Sequence, residues 1–305
     1  MRVCVVGCGA IGGLYAGHLD ALPDAEVWAY DADAAHVAAM QQDGLRLTGA
    51  VQLTARVQAR TDAGTIPPCE LGILATKGTA TAAAIAATAE VFVSGGAVCS
   101  VQNGIGNEEI IAGRVPRVMR GVTLPAGRIA APGVIHVDAL GPTWIGPFEP
   151  APAAPEQIAA LAALLERSGL ETRALNDVRG AQWTKLLFNA ATNPLCALTG
   201  LTHGALCHYP ATRHLVGELL REGRTVADAL GIELDADPDD LVDEAARVNP
   251  DHRPSMLQDV AARRATEIAT LNGGIVDAGR AAGVPTPQHE AIVALIRGLE
   301  RSWTA

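Results

Sequence analysis

Val3-Cys4-Val5-Val6 runs directly into Gly7-Cys8-Gly9-Ala10-Ile11-Gly12, and a helical apolar pattern follows. A short buried strand, a glycine-rich turn and a helix start in this order are the opening of a dinucleotide-binding βαβ unit. Each glycine answers a physical need. Gly7 permits the tight turn, Gly9 lets the backbone approach a pyrophosphate, and Gly12 lets the helix lie close to the strand. Cys8, Ala10 and Ile11 complete the cofactor-binding turn, and the free N–H groups at the helix start point at the phosphates. Ile11, Leu14, Leu19 and Leu22 recur at helical spacing and predict an amphipathic helix, and Glu26–Tyr30 predicts a second strand.

That second strand ends at Asp31, nineteen residues past Gly12. A carboxylate there accepts hydrogen bonds from ribose hydroxyls and repels a 2′-phosphate. No Lys or Arg stands in Asp31-Ala32-Asp33-Ala34-Ala35-His36. Asp33 is placed to cap the next helix, which leaves Asp31 free for the ribose. NAD(H) is therefore favoured over NADP(H).

The chain of 305 residues has room for two domains, with 49 % hydrophobic residues and 3 % aromatics. The core is therefore expected to be built from small aliphatics. A net charge of −10 with scattered basic residues argues against nucleic-acid or anionic-membrane binding. No apolar run is long enough to span a bilayer, and the first strand begins too early to follow a removable leader. Cys4, Cys8, Cys69, Cys99, Cys196 and Cys207 form no CxxC pair, which suits a reducing cytoplasm.

The first half alternates strands and helices, predicting a doubly wound parallel sheet. A helix is expected over 34–42, a two-stranded excursion around Gly49, a strand at 71–76, a helix over 80–90 and a strand at 97–101. The loop Gln102-Asn103-Gly104-Ile105-Gly106 follows, then a strand-rich stretch from Arg117 to Phe148. Ile158, Leu161, Leu165 and a strand near Thr172 read as one more unit of this sheet. Beyond Asn176 strand signals vanish. The expected organisation is an N-terminal Rossmann-like α/β domain over 1–176 and an all-α C-terminal domain over 177–305.

Within Trp183–Pro194, Lys185, Asn189 and Asn193 fall at i, i+4 and i+8 on one helix face among Leu186, Leu187 and Phe188. A cation and two amides on an apolar helix are costly to bury without partners, which implies a site for a polar ligand. A lysine so placed can protonate a carbonyl oxygen as it becomes an alkoxide. His203, Cys207 and His208 lie close in sequence but lack a carboxylate, so no metal is expected. Ser94, Ser100 and Ser168 have no partnered base, Arg263-Arg264 reads as solvated charge, and His18 reads as a core or cofactor-packing residue.

The ordered set GCGAIGG, LATK, QNGIGN, WTKLLFNAATNP, PSMLQDV and TEIATLNG resembles the ketopantoate reductase family over residues 1 to about 287. The resemblance implies a Rossmann domain, a helical domain, and a 2-keto acid reduced with a nicotinamide cofactor to an (R)-2-hydroxy acid. It implies Lys185 as the general acid and Glu267 as the carboxylate that pairs with it. Ser255, Asn189 and Asn193 match positions that hold the substrate. Asn103 and Lys77 match positions near the nicotinamide ribose and the substrate.

Ser255 and Glu267 on one straight helix would stand roughly 18 Å apart at about 1.5 Å per residue. A break near 261–265 is therefore expected, with Thr266 capping a helix that carries Glu267. Ala32 stands where the family commonly has a basic residue, and His203 and His252 stand where Asn or a small residue is usual. These departures keep open an NAD-dependent D-2-hydroxyacid dehydrogenase acting on other branched 2-keto acids. A nucleotide sensor without turnover is the remaining class, and it predicts loss of Lys185 or Glu267, both of which are present. A small-molecule substrate is expected, and a homodimer is compatible with the sequence.

Overall fold

The computed structural model describes residues 1–303. It divides into two compact units, Met1–Gln102 with Asn107–Val178, and Asn103–Gly106 with Arg179 onward.

In the first unit the chain forms β1 (Arg2–Val6), α1 (Ala10–Leu19), β2 (Glu26–Tyr30), α2 (Ala34–Asp43), β3 (Leu45–Gly49), β4 (Leu53–Ala55) and β5 (Gln58–Arg60). It continues through β6 (Cys69–Leu74), α3 (Thr81–Thr88), β7 (Phe92–Ser100), α4 (Asn107–Ala112), β8 (Val118–Thr123), β9 (Ala126–Ala131), β10 (Val134–Ala139), β11 (Thr143–Pro147), α5 (Pro155–Arg167) and β12 (Thr172–Ala174). Eight strands form one sheet in the order β12-β11-β8-β7-β6-β1-β2-β5. Every neighbouring pair in it is parallel except β8 with β11. The order reverses direction at β1, so the glycine turn leaves the sheet at its switch point, where open α/β sheets bind ligands. Val3 to Val6 are fully buried, as a strand covered on both faces must be.

The sequence expected α1 to be amphipathic, and it is apolar almost all round. A second sheet, ordered β4-β3-β10-β9, covers its outer side. The excursion around Gly49 is half of that sheet, completed by strands some eighty residues later. Small residues make the close packing feasible. A Cβ at Gly13 would lie 2.9 Å from Ile135, and one at Gly17 would lie 3.0 Å from Leu47. Gly12 is tighter still, its Cβ falling 1.9 Å from the Gly7 carbonyl oxygen.

His18, read as a core or cofactor-packing residue, is half-buried and bonds the Ser168 carbonyl through Nδ1 at 2.8 Å, which ties α1 to the end of α5. Helix α4 was not anticipated.

The second unit contains α6 (Arg179–Thr199), α7 (His203–His208), α8 (Pro210–Ala229), α9 (Pro238–Val248), α10 (Ser255–Ala261), α11 (Asn272–Ala282) and α12 (Pro287–Arg301). Helix α6 runs through its core, packed by α8, α10, α9, α7 and α12. Pro194 lies inside α6 and cannot donate to Ala190 four residues earlier. The Asn272 side-chain amide donates to that carbonyl at 2.9 Å and also to His289 Nδ1 at 3.0 Å. A break in one helix thereby becomes the anchor for the start of another. No helix among the described residues is long and apolar enough to cross a membrane.

Gly12→Ala should force the turn and α1 apart. Overpacking of this kind costs about 1–3 kcal/mol, which differential scanning calorimetry should read as a Tm lower by roughly 2–10 °C.

Candidate functional site

The glycine turn satisfies the requirements of a dinucleotide cradle. Gly7 adopts φ +85°, and a Cβ there would fall 2.5 Å from Thr76 Cγ2. Gly9 differs: a Cβ at that position meets nothing within 4 Å. The protein's own packing does not demand glycine at 9, whereas a ligand approaching the backbone does.

Asp33 caps α2 as expected, accepting from the N–H groups of Ala35 at 2.9 Å and His36 at 3.1 Å. Asp31 is not free, which corrects the sequence reading. Its Oδ2 accepts from the Cys8 N–H at 2.8 Å and its Oδ1 from the Asp33 N–H at 2.9 Å. The reason is geometric: the end of β2 lies beside the turn that leaves β1. A carboxylate has about four acceptor positions, so capacity remains on each oxygen for ribose hydroxyls.

The linear reading also missed Arg60. Tyr30 pairs with Arg60 across β2 and β5, and the Asp31 N–H donates to the Arg60 carbonyl at 3.1 Å. Its guanidinium lies over the Trp28 ring, 5.0 Å from the centroid, and donates to the Ala59 carbonyl. Lys77 is exposed just past the carboxyl end of β6. Gln102, two residues past the end of β7, donates to the Thr76 carbonyl at 2.9 Å and to Thr81 Oγ1 at 2.8 Å.

In the helical unit three of the expected residues meet. Asn103 Oδ1 accepts from Lys185 Nζ at 2.9 Å, and Asn103 Nδ2 donates to Glu267 Oε2 at 3.2 Å. One amide thus links the ammonium to the carboxylate. Burial lowers the Lys185 pKa, and the Glu267 carboxylate opposes that fall, leaving it at about 8. Lys185 and Asn189 are half-buried on α6, and Asn193 one turn on is buried. Ser255 is exposed at the first position of α10.

Asn103 belongs with this unit although it follows β7 in the chain. The Ile105 N–H donates to the Thr270 carbonyl at 3.0 Å, and Ile105 packs on the helical core. Gly104, at φ +86°, could not carry a Cβ, which would lie 2.3 Å from Thr270 oxygen.

The break expected between Ser255 and Glu267 is present: α10 ends at Ala261, and Arg263 takes a positive φ of 51°. Thr266, however, does not cap a helix bearing Glu267. Glu267 sits in a turn before α11, and Thr266 binds Glu300 of α12 through its N–H at 2.8 Å and hydroxyl at 2.7 Å. Tertiary pairing overrides the local helix signal here. His203 is buried edge-on against Phe188, its pKa pushed down to about 4 by burial and by His252. His208 bonds the Gly204 carbonyl.

A glycine cradle at the switch point of a doubly wound sheet, with a lysine–amide–carboxylate cluster in a helical unit, defines a two-domain, dinucleotide-dependent oxidoreductase. The comparisons with known proteins narrow this class. Residues 3–150 match the model described as "Ketopantoate reductase PanE/ApbA" and residues 177–300 its C-terminal counterpart. A 2-dehydropantoate 2-reductase of Pyrococcus abyssi is 32 % identical over 301 residues, covering 98 % of each chain.

The crystal structure of a PanE/ApbA family ketopantoate reductase from Ralstonia eutropha JMP134 is similar over the whole of both chains, with a TM-score of 0.91 and 30 % identity. That of a D-mandelate dehydrogenase with NADH and anilino(oxo)acetate gives 0.89 and 25 %, again over both whole chains. The chain belongs to the ketopantoate reductase family.

Asn103→Asp sets a second carboxylate against Lys185 and faces Glu267 with an acceptor in place of a donor. The wild-type rate of carbonyl reduction should fall as pH rises through about 8, where the Lys185 ammonium is lost. In the variant this alkaline limb should move up by about one pH unit, read from the pH dependence of kcat/KM, which reports the free enzyme's groups.

Proposed function

We propose that the chain is a 2-dehydropantoate 2-reductase, reducing the C2 carbonyl of a 2-keto acid to an (R)-2-hydroxy acid with Lys185 as general acid. The observation that carries this reading is the half-buried Lys185 ammonium, poised at about 8 and linked through Asn103 to Glu267. The bound nicotinamide cofactor supplies the hydride.

The chain's own residues do the rest. Lys185 Nζ hydrogen-bonds the C2 oxygen and passes it a proton as negative charge develops there. Glu267 keeps the lysine protonated against the cost of burial, and Asn103 fixes its direction. Asn189, Asn193 and Ser255 hold the substrate's carboxylate and hydroxyl. The turn comprising Gly7, Cys8, Gly9, Ala10, Ile11 and Gly12 receives the diphosphate, Asp31 the adenosine ribose, and Lys77 and Asn103 the nicotinamide ribose.

NADH is the preferred cofactor, because Asp31 opposes a 2′-phosphate and Arg60 has its charge over Trp28. The six free thiols suit action in a reducing cytoplasm. Relatives that match the chain over nearly its whole length are named 2-dehydropantoate 2-reductases. They favour that reading over a D-2-hydroxyacid dehydrogenase for other branched acids.

Lys185→Ala should reduce kcat by about 10²–10⁴-fold while the NADH dissociation constant, measured by fluorescence titration, is retained. Unchanged turnover would refute the assignment. Catalytic efficiency on ketopantoate should exceed that on 2-ketoisovalerate, and the reverse order would favour the dehydrogenase. Asp31→Asn should shrink the preference for NADH over NADPH by about tenfold, a change of about 1.4 kcal/mol. Equal use of the two cofactors by the wild type would remove the cofactor argument.

A further inference from the structure

We propose that His36 is a positioning residue for the cofactor, acting through the Cys8–Gly9 peptide of the glycine turn. The inference rests on the dinucleotide reading of that turn.

His36 lies in the first turns of α2 and is 2 % exposed. The Gly133 N–H donates to its Nδ1 at 3.0 Å, so Nδ1 carries no proton. The neutral ring then has its proton on Nε2, which lies 3.0 Å from the Cys8 carbonyl oxygen and donates to it. The Cys8 N–H, in turn, is held by Asp31 Oδ2. Both polar groups of one residue in the cradle are therefore fixed by side chains from the segment that follows β2.

A trans peptide is planar, with its C=O and N–H pointing in opposite directions. Drawing the Cys8 carbonyl toward His36 turns the Gly9 N–H the other way. Gly9 is the glycine whose missing Cβ leaves open space. His36 thus sets which way the amide at the head of α1 is presented to a diphosphate.

The far end of the relay is equally fixed. Gly133 occupies the β9–β10 turn at φ +71°, and its carbonyl accepts from the Arg46 N–H of β3 at 2.8 Å. The four-stranded sheet therefore serves as a strut behind the phosphate turn as well as a cover for α1. An apolar side chain at 36 would leave two buried groups without partners, the Gly133 N–H and the Cys8 carbonyl.

The test uses the full chain and titrates NADH and ADP-ribose into the wild type, His36→Leu and His36→Gln, with Tm recorded for each. His36→Leu should weaken both ligands together by about tenfold or more, as loss of a buried hydrogen-bond partner implies. KM for NADH should rise in step, while kcat at saturating NADH stays within about threefold. Glutamine places an amide nitrogen where Nε2 stood, and His36→Gln should recover most of the affinity.

A folded His36→Leu that binds within about twofold of wild type overturns the proposal, as does a glutamine variant no better than leucine. Should His36→Leu fail to fold, His36→Asn takes its place. Its amide is too short to reach Cys8, so it should bind more weakly than His36→Gln, and equal binding overturns the proposal. A wild type that binds neither ligand removes the dinucleotide reading and this inference together. Wild-type binding with unaffected variants removes this inference alone.

Discussion

The helical unit depends on an ammonium held where water is scarce. Taking a charged lysine from water disfavours its charged form, and a nearby carboxylate favours it. At Lys185 the two effects oppose each other and leave a proton that is held near neutrality yet readily given up. An exposed lysine would hold its proton more tightly, and a buried one without Glu267 would hold it less tightly. The amide of Asn103 suits the place between them because it accepts on one side and donates on the other. A carboxylate could not donate to Glu267, and an ammonium could not accept from Lys185.

Three distant segments have to converge for this, and the fold supplies a reason for each. Lys185 rides on α6, whose proline exposes a carbonyl that Asn272 binds, which fixes the start of α11 against it. Glu267 precedes α11 by a short turn whose other side is tied to α12 through Thr266 and Glu300. Asn103 comes from the β7 connection and is held by backbone pairing of Ile105 with Thr270, three residues past Glu267. The local irregularities of the unit, a proline within a helix, a positive φ at Arg263 and a glycine that admits no Cβ, all serve this convergence.

What the sequence disclosed and what it concealed follow from the range of the interactions. The glycine turn, the α2 cap at Asp33 and the Lys185-Asn189-Asn193 face were legible because their requirements are met within a few residues. The break before Glu267 was legible from rise per residue once the resemblance had set Ser255 and Glu267 on one substrate. The burial of α1 on both sides was not, because the covering sheet joins strands from residues 45–55 with strands from 126–139. The engagement of Asp31, the approach of Arg60 and the role of His36 depend on neighbours across strands. Such neighbours leave no periodic mark in the chain. Asn103 was recognised by motif, but its attachment to the helical unit required the Ile105 contacts.

Asp31 unites two properties that a linear reading keeps apart. One carboxylate stabilises the turn, by accepting from Cys8 and Asp33, and sets the charge that a 2′-phosphate would encounter. An amide at this position offers only one accepting atom, so one of those two N–H groups would face another donor. On the proposed reading, cofactor choice and the geometry of the glycine turn are therefore coupled through a single side chain. A basic residue in place of Ala32 would add an attraction for phosphate without disturbing either bond. If the proposed preference for NADH holds, the route to NADPH that preserves the turn adds a cation beside Asp31 and leaves its carboxylate in place.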